Sequence, residues 1–253
     1  MMTRTSDKRI VTIDQGNSSL KAVAWSGSAA EDSVRLAEAS VEGLLPLFEN
    51  GEVDGCVYCS VGHTDAKFLE TLRRLVDGRL LVLTHSTPLP IDVVYGSRDT
   101  LGNDRVAAAA GAAALNPWQG AVVADAGTAL TVDVLDCRGC FRGGNISPGL
   151  SLRFDSLHRF TDRLPLVDAA PVDGMFGTDT RSAIRCGVEG GMASEIAAAY
   201  AFASDEYGCS RIILTGNDAD MIHGVLAARG ISSEVHPNLV GLGLLSIYRY
   251  NFS

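Results

Sequence analysis

The sequence predicts an α/β protein built from two related halves, with a ligand site between the halves. The first observation is a motif that occurs twice, in which a hydrophobic strand runs into Asp-x-Gly and small polar residues and then returns as a strand. The motif lies at Asp14–Ser18 and again at Asp125–Ala129, 111 residues further on (125 − 14). The second is that strand-like segments are interspersed with helical ones. The third is the stretch NPWQG, residues 116–120, which is typical of a hinge between halves.

The first half is predicted to contain a strand pair, two further strands and two helices. The predicted strands are Arg9–Ile13, Leu20–Trp25 antiparallel to it, Val53–Val61 and Leu80–Thr84. A helix is predicted over Ala66–Val76, where Phe68 and three leucines fall on one face. A second, alanine-rich helix is predicted to begin near Leu101, because alanine has the highest helix propensity.

The second half is predicted to open in the same way as the first. A hydrophobic strand ends at Asp125, and Leu130–Leu135 is predicted to return beside it. Further on, Arg211–Ile222 is predicted to be a strand, a glycine turn at Thr215–Asp218 and the start of a helix. On its own this is an ordinary strand-to-helix turn, but it could also lie against a nucleoside.

The repeated Asp-x-Gly motif suits a phosphate and its metal ion. Glycine permits a positive φ and a close approach of a ligand to the backbone. Successive backbone N–H groups in a tight turn bind anions, and small polar side chains add hydrogen bonds. An aspartate would repel phosphate, but it can hold a cation that bridges to phosphate. The alternative is a pair of ordinary hairpins, since turns are rich in Asp and Gly.

Charge and hydropathy exclude several classes of protein. The formal net charge is −9, which argues against a nucleic-acid partner because such surfaces need clustered Lys and Arg. The N-terminal stretch MMTRTSDKRI lacks the apolar core of a secretion signal. No uninterrupted apolar run approaches the roughly 18 residues of a membrane span. We therefore expect a cytoplasmic protein without a membrane partner.

The six cysteines include two Cys-x-x-Cys pairs, Cys56/Cys59 and Cys137/Cys140. Two such pairs can form a zinc site. The first pair lies in a predicted buried strand, where an odd offset directs the side chains to opposite faces. The second pair brackets a predicted hairpin turn. Both observations favour free thiols in a reducing cytosol over a zinc site.

Several motifs, taken in chain order, resemble the type III pantothenate kinases of the acetate and sugar kinase, Hsp70 and actin superfamily. Those motifs are the first phosphate loop Asp14-Gln15-Gly16-Asn17-Ser18-Ser19-Leu20-Lys21, Tyr95 with Leu101-Gly102-Asn103-Asp104-Arg105, the second phosphate loop Asp125-Ala126-Gly127-Thr128-Ala129 with Thr131 and Asp133, GGNISPGL at Gly143–Leu150, and Thr180 with Ala183, Ile184 and Gly187. The chain departs from the family pattern at Arg98, where a proline is frequent, and at Asn217, where a second glycine is frequent.

The resemblance implies an actin-like, ribonuclease H-like fold in which each half is a mixed sheet with flanking helices and ATP lies in the cleft between them. The halves would be residues 1–116, with the first phosphate loop and the substrate segment, and 117–253, with the second phosphate loop, dimerisation helices and the nucleoside turn. The implied reaction is ATP-dependent phosphorylation of pantothenate, the first step of coenzyme A synthesis.

The resemblance also assigns roles to individual residues. Asp104 would accept the proton of the substrate hydroxyl, and Arg105 would hold an anionic group of pantothenate. The first phosphate loop would bind ATP and Mg²⁺, and Asp14 would organise the metal ion. Lys21 would either reach the phosphates or simply lie on a strand edge. The resemblance further implies that pantothenate is contacted by Tyr95, Gly102 and Asn103. In the second phosphate loop, Thr128 would contact the phosphates and Asp125 would bind a monovalent cation, K⁺ or NH₄⁺. The protein would be a homodimer in which Thr180 contacts the pantothenate bound by the partner subunit.

Alternatives remain open at this stage. Asp104 could be a helix N-terminal acid alone, and Arg105 could be a surface ion pair. His158 is a weak candidate for substrate contact, because most lone histidines near a helix are simply packed or solvated. A kinase of another small hydroxy acid or sugar, a non-catalytic ATP-binding accessory protein and a filament-forming actin relative are the competing functions. Intact Asp104 and Arg105 and both Asp-x-Gly loops favour the enzyme.

Overall fold

The computed structural model describes residues 8–62, 65–171 and 174–252, so most of the polar N-terminal stretch lies outside the described residues. The chain divides into two compact units. The described residues of unit 1 lie within Met1–Ile91, Gly96–Ala114 and Asn238–Ser253, and those of unit 2 within Asp92–Tyr95 and Leu115–Pro237.

The described residues form eleven strands and seven α-helices, interspersed along the chain. The strands are β1 Arg9–Gln15, β2 Leu20–Ser26, β3 Ala29–Leu36, β4 Gly55–Ser60, β5 Leu80–Val82, β6 Asp92–Val93, β7 Gly120–Ala126, β8 Ala129–Leu135, β9 Cys140–Pro148, β10 Cys209–Thr215 and β11 Glu234–Val235. The helices are α1 Val41–Glu49, α2 Ala66–Leu75, α3 Asn103–Leu115, α4 Leu150–Arg159, α5 Thr180–Tyr207, α6 Ala219–Ala228 and α7 Leu239–Phe252.

Each unit contains one mixed sheet, and the two sheets have the same plan. The sheet of unit 1 has the order β3-β2-β1-β4-β5, and that of unit 2 has the order β11-β10-β7-β8-β9-β6. In both, the first strand pairs antiparallel with the second and parallel with the fourth, as β1 does with β2 and β4 and β7 does with β8 and β10. The predicted duplication is therefore confirmed, with β6 as an added edge strand in unit 2.

Each unit buries its own hydrophobic core between sheet and helices. Large members of the unit 1 core are Val11, Ile13, Leu20, Leu44, Leu47, Tyr58 and Leu72. Large members of the unit 2 core are Val122, Leu130, Phe154, Met192, Ile196, Ile212, Leu214, Ile222 and Leu226. These residues place hydrophobic faces of α1 and α2 on one sheet and of α4, α5 and α6 on the other.

The C-terminal helix α7 belongs to unit 1, although the sequence-based division placed residues 117–253 together. It packs against β1 and β4. The hydroxyl of Tyr248 donates to the carbonyl of Asp54 (3.5 Å), and Asn251 donates to the carbonyl of Pro88 (3.0 Å). The buried apolar face of this helix explains the return of the chain to the first unit.

The 28-residue helix α5 is terminated clearly at both ends. Its N-cap Asp179 accepts from the backbone N–H of Ser182 (3.1 Å), and the Ser182 hydroxyl accepts from the N–H of Asp179 (3.1 Å), which forms a capping box. The helix ends at Gly208, whose φ of 66° is readily adopted only by glycine. None of the helices formed by the described residues is both long and apolar enough to cross a membrane.

Candidate active site

The first phosphate loop is the turn between β1 and β2. Gln15 pairs with Leu20 across the hairpin, and the N–H of Gly16 donates to the carbonyl of Ser19 (3.0 Å). Residues 16–18 are exposed, whereas the Leu20 side chain is buried in the core, so only the main chain of Leu20 can face a ligand. The Tyr58 hydroxyl donates to Oε1 of Gln15 (2.6 Å) and fixes that side chain.

The glycines of the two Asp-x-Gly motifs do not have the positive φ that the sequence suggested. The described glycines with positive φ include neither Gly16 nor Gly127. An added Cβ at Gly16 would lie no closer than 3.5 Å to another atom of the protein, and the same holds at Gly127. The protein's own packing thus tolerates a side chain at both sites, which leaves close approach of a ligand as the reason for glycine.

The negative charges of Asp14 and Asp104 both act on one buried side chain of unit 1, that of Cys59. Asp14 pairs with Cys59 across the parallel β1–β4 ladder. The pKa of the Cys59 thiol is raised well above its ordinary value, first by burial and then by the negative charges of Asp14 and Asp104. The two carboxylates lie far apart in sequence, and the fold brings both into electrostatic range of the same thiol.

The substrate segment folds tightly around the start of α3. Oδ1 of Asp104 accepts from the N–H of Arg105 (2.9 Å), and Asn103 donates to the carbonyl of Leu83 (3.2 Å). An added Cβ at Gly102 would collide with Oδ1 of Asp104, so glycine is required there for the carboxylate to take this position. Arg105 is only 5% exposed, which excludes the surface ion pair considered from the sequence.

Lys21 lies on an interior strand and not on a sheet edge, since β2 is hydrogen-bonded to both β1 and β3. It is half-buried and directly opposite Asp14 in the β1–β2 register. The strand-edge alternative for this lysine is therefore wrong.

The second phosphate loop, between β7 and β8, meets the nucleoside turn within unit 2. The N–H of Gly127 donates to the carbonyl of Ala129 (3.1 Å), and the N–H of Asp218 donates to the carbonyl of Ala126 (3.0 Å). Gly216 has a φ of +92°, and an added Cβ there would collide with Oδ1 of Asp125. Only position 216 needs glycine, so Asn217 is compatible with the turn despite its departure from the family pattern.

The segment after β9 supports the second phosphate loop. The N–H of Gly149 donates to the carbonyl of Thr128 (3.0 Å). An added Cβ at Gly149 would collide with the carbonyl oxygens of Gly127 and Thr128. The close packing of these backbones explains the glycine of the Pro-Gly-Leu motif.

A side-chain clamp holds that supporting segment against α5. The guanidinium of Arg153 pairs with both carboxylate oxygens of Glu195 (2.8 and 2.9 Å) and donates to the carbonyl of Pro148 (2.7 Å). The Ser147 hydroxyl also donates to Glu195 (2.9 Å). Arg153 and the Ser147 hydrogen bond hold the pKa of the Glu195 carboxyl below its ordinary value. Pro148, which the clamp holds, immediately precedes Gly149, so the clamp fixes the support of the loop.

The other predicted substrate residues lie on two further elements of unit 2. Tyr95 follows β6, and its ring lies 6.1 Å from that of Phe141; a Cβ added at Gly143 would lie 3.8 Å from the Tyr95 ring. Thr180 is the first residue of α5, positioned by the Asp179 capping box. His158 is exposed, and its Nδ1 lies 2.9 Å from the carbonyl oxygen of Leu164, so the structure favours the solvated alternative for this histidine.

The described residues offer no group of three or more His, Cys, Asp or Glu side chains that could hold a metal ion unaided. All six cysteines carry free thiols, and only Cys137 is exposed. A Mg²⁺ ion commonly keeps one or two carboxylates and completes its shell with water and substrate phosphates. Single carboxylates beside exposed loops, as at Asp14 and Asp125, fit that mode of binding.

Three features of the site were missed from the sequence. Cys59 was assigned only to a buried strand, although the β1–β4 register places it beside Asp14. Asp218 was treated as part of a turn, but burial raises the pKa of its carboxyl beside the second loop. The Arg153–Glu195 pair spans 42 residues, and no local pattern in the sequence indicates it.

Comparison with known proteins gives a consistent family. The family profile described as type III pantothenate kinase matches residues 10–201. A type III pantothenate kinase of Porphyromonas gingivalis strain W83 is 39% identical over 242 residues, covering 94% of this chain and 97% of that protein. One of Phocaeicola vulgatus is 35% identical over 206 residues, covering 81% of this chain and 85% of that protein.

Solved structures share the fold at low sequence identity. A Campylobacter jejuni protein described as a conserved Baf family transcriptional activator has a TM-score of 0.60 at 21% identity, covering 95% of this chain and 98% of that one. A Listeria monocytogenes protein described as an N-acetylmannosamine kinase has a TM-score of 0.57 at 11% identity, covering 97% of this chain and all of the other (100%). These likenesses establish the actin-like fold alone.

Proposed function

The chain belongs to the type III pantothenate kinase family, and from this premise we propose how its own residues phosphorylate pantothenate with ATP. The product is 4′-phosphopantothenate, at the first step of coenzyme A synthesis. The observation that supports the assignment of roles is that unit 1 contains both the first phosphate loop, with Asp14 opposite Cys59 in the β1–β4 register, and Asp104, whose charge acts on the same thiol. Phosphoryl transfer requires mainly positioning and charge stabilisation, which such an arrangement supplies.

Asp104 is the catalytic base in this proposal. The primary hydroxyl oxygen of pantothenate attacks the γ-phosphorus of ATP, the bond from that phosphorus to the β–γ bridging oxygen breaks, and ADP leaves. The hydroxyl proton passes to the carboxylate of Asp104. One carboxylate oxygen of Asp104 is bonded to the N–H of Arg105, which orients the group for that transfer.

The first phosphate loop binds the phosphates of ATP through exposed backbone and small polar groups. Gly16 permits close approach, and Asn17, Ser18 and Ser19 supply donors. Asp14 and Lys21, opposite one another on β1 and β2, bring a carboxylate and an ammonium group to the base of the loop. Asp14 would hold Mg²⁺, which neutralises charge on the transferring phosphate.

The second phosphate loop contributes a hydroxyl and a carboxylate. Thr128 is exposed at the tip of the turn and donates to phosphate. Asp125 is half-buried below it, beside Gly216, and would hold a monovalent cation, K⁺ or NH₄⁺. Such a cation offsets phosphate charge in a chain whose net charge is −9.

The proposal assigns pantothenate contacts to the segment at the start of α3 and, separately, to Tyr95 and Thr180. Arg105 binds the carboxylate of pantothenate, since a guanidinium can grip a carboxylate with two parallel hydrogen bonds. Gly102 and Asn103, on the same turn as Arg105, would contact pantothenate, and Tyr95 would add an aromatic contact. Thr180, at the start of α5, reaches the pantothenate bound by the partner subunit of a homodimer.

The direct test of the activity is pantothenate-dependent release of ADP from MgATP, measured beside a panel of small hydroxy acids and sugars. Release with pantothenate alone supports the proposal. Equal release without pantothenate indicates a simple ATPase, and release with another acceptor indicates a different kinase.

The shared site is tested by mixing two inactive chains. One chain carries Asp104→Asn, and the other carries Thr180→Arg, which blocks the pocket. A mixed dimer then has one site with both defects and one site of wild-type composition, so activity returns towards half. If both residues served the site of one chain, the purified mixed dimer would stay inactive.

A further inference from the structure

A tyrosine hydroxyl connects the hydrophobic core of unit 1 to the first phosphate loop. Tyr58 is 1% exposed and lies on the interior strand β4. Its ring packs at a tilt against that of Phe68 on α2, with 5.8 Å between the ring centroids. A buried hydroxyl is costly unless it is hydrogen-bonded, and this one donates to Oε1 of Gln15 (2.6 Å). The core therefore reaches the loop through a polar contact.

The strand that carries Tyr58 is held on both sides. β4 pairs in parallel with β1 and with β5, and Tyr58 lies opposite Ile13 and Val82 in these two registers. The carbonyl of Tyr58 also accepts from the N–H of Leu83 (2.8 Å). Burial, ring packing and the paired backbone fix the position of the hydroxyl, so it can hold a neighbouring exposed turn in place.

Gln15 is the residue at which the buried strand becomes that exposed turn. It is the last residue of β1 and immediately precedes the exposed residues 16–18. Its carbonyl accepts from the N–H of Val61 (3.2 Å), just after the end of β4. Gln15 is thus tied towards β4 through its main chain and through its side chain, at the start of the loop.

The side chain of Gln15 lies on the face of the sheet opposite to that of Asp14. Successive residues of a strand alternate between faces, so Gln15 shares the face of Ile13, which belongs to the core that α1 and α2 cover. The Gln15 side chain lines a concave surface formed with the N-terminal ends of these two helices. Gln15 can therefore serve ATP through its main chain, while its amide tethers the loop.

We infer that Tyr58 is a positioning residue for ATP, whose hydroxyl acts through Gln15 to hold the first phosphate loop in its binding conformation. The inference rests on the proposed function of that loop. A loop that is already ordered loses less conformational freedom when the ligand binds, so the affinity is higher. Because Tyr58 is buried in the core, its hydroxyl affects the affinity for ATP and not the proton transfer to Asp104.

A double-mutant cycle tests the inference. Tyr58→Phe removes the hydroxyl and keeps the ring, Gln15→Met removes the amide and keeps the length of the side chain, and a third variant combines both. The matched control is Thr12→Val, which removes another buried hydrogen bond of β1, the one that Trp25 donates to the Thr12 hydroxyl (2.9 Å). The Kd for MgATP is measured without pantothenate, from thermal unfolding over a series of MgATP concentrations. Pantothenate-dependent ADP release gives KM and kcat.

Tyr58→Phe and Gln15→Met are each expected to raise the Kd and the KM for MgATP about three- to tenfold, as the loss of one hydrogen bond predicts. The double variant is expected to match either single variant, because both changes remove the same bond. Thr12→Val should lose thermal stability, since it leaves the buried indole N–H of Trp25 without that acceptor, and should keep the wild-type Kd. The KM for pantothenate and kcat should change little in every variant.

An unchanged Kd in a folded Tyr58→Phe protein would overturn the inference and leave the hydrogen bond with a structural role alone. The inference would also be wrong if the double variant showed the product of the two single effects, or if Thr12→Val raised the Kd as much as Tyr58→Phe. A wild-type protein that binds MgATP but shows no pantothenate-dependent ADP release contradicts only the proposed reaction, because the comparison of Kd values needs no turnover. Failure of the wild-type protein to bind MgATP would overturn both.

Discussion

Replacement of Gly149 by alanine is expected to damage the second phosphate loop without touching ATP directly. The N–H of Gly149 bonds to the carbonyl of Thr128, and the two backbones are packed too closely for a side chain. An added Cβ would lie 2.5 Å from the Thr128 carbonyl oxygen, where ordinary contact begins at 3.4 Å. The loop and Gly149 must therefore separate by about 0.9 Å (3.4 − 2.5).

That displacement gives the size of the effect. A misplacement of about 1 Å at a catalytic group can lower activity on the order of 100-fold. The carbonyl of Gly127 lies still closer to the added Cβ, so the shift is a lower bound. Overpacking of this kind also lowers the free energy of unfolding by roughly 1–3 kcal/mol.

The assay is pantothenate-dependent ADP release over a range of ATP concentrations, with thermal unfolding as a check of the fold. The matched control is Gly224→Ala, an exposed position on α6 where an added Cβ meets nothing within 4 Å. This control is expected to gain about 0.5–1 kcal/mol of stability, as for other helical glycines, and to stay active. Wild-type kinetics and stability in Gly149→Ala would refute the account of loop support.

Three further perturbations are expected to give measurable effects. The Arg153→Lys variant loses the two parallel hydrogen bonds to Glu195. Steady-state kinetics should then show a several-fold higher KM for ATP, with little change of global stability. An unchanged KM would show that the clamp does not support the second phosphate loop. Stimulation by K⁺ or NH₄⁺ should weaken or vanish in Asp125→Ala, and equal rates of wild type in Na⁺-only buffer would remove that role. The pKa of Glu234 is lowered to about 2, chiefly by Arg211, so its contribution to stability is present above the ordinary value of 4.5 and is lost as pH falls through about 2. Urea unfolding of wild type and Arg211→Gln from pH 6 to 2 should therefore show a difference that shrinks as the pH falls, and a constant difference would contradict it.

Much of the fold follows from local sequence patterns. The predicted strand pairs around Asp14 and Asp125 are both present and antiparallel, because alternating burial and a short polar turn specify a hairpin. The predicted strand Val53–Val61 is shorter, at Gly55–Ser60, and the helix predicted near Leu101 begins at Asn103. Errors of this size are usual at element ends, where tertiary contacts decide the last residues.

Three of the elements that escaped prediction did so for identifiable reasons. β3 is an edge strand whose residues are mostly exposed and polar, so it has no hydrophobic alternation. α1 contains Pro46, which disfavours a helix in any local scale, but Leu44 and Leu47 bury its face. α7 forms a hydrophobic helix whose packing on unit 1 depends on tertiary contacts that its own sequence does not specify.

The site residues divide in the same way. Motif spacing identifies the two phosphate loops and the Gly102–Arg105 segment, since each lies within one short stretch of chain. The burial of Arg105 depends on how α3 packs, and the position of Asp14 opposite Cys59 depends on sheet register, so neither could be derived from motif spacing. The roles of the predicted residues and the homodimer stay predictions until they are measured.

The most direct test of the central claim is pantothenate-dependent ADP release by Asp104→Asn beside wild type. The amide keeps the shape of the side chain but cannot accept the hydroxyl proton, and loss of a general base costs on the order of 10²–10⁴-fold. We expect kcat to fall by that amount while thermal unfolding stays close to wild type. A folded Asp104→Asn protein with near-normal kcat would contradict the assignment of Asp104 as the catalytic base.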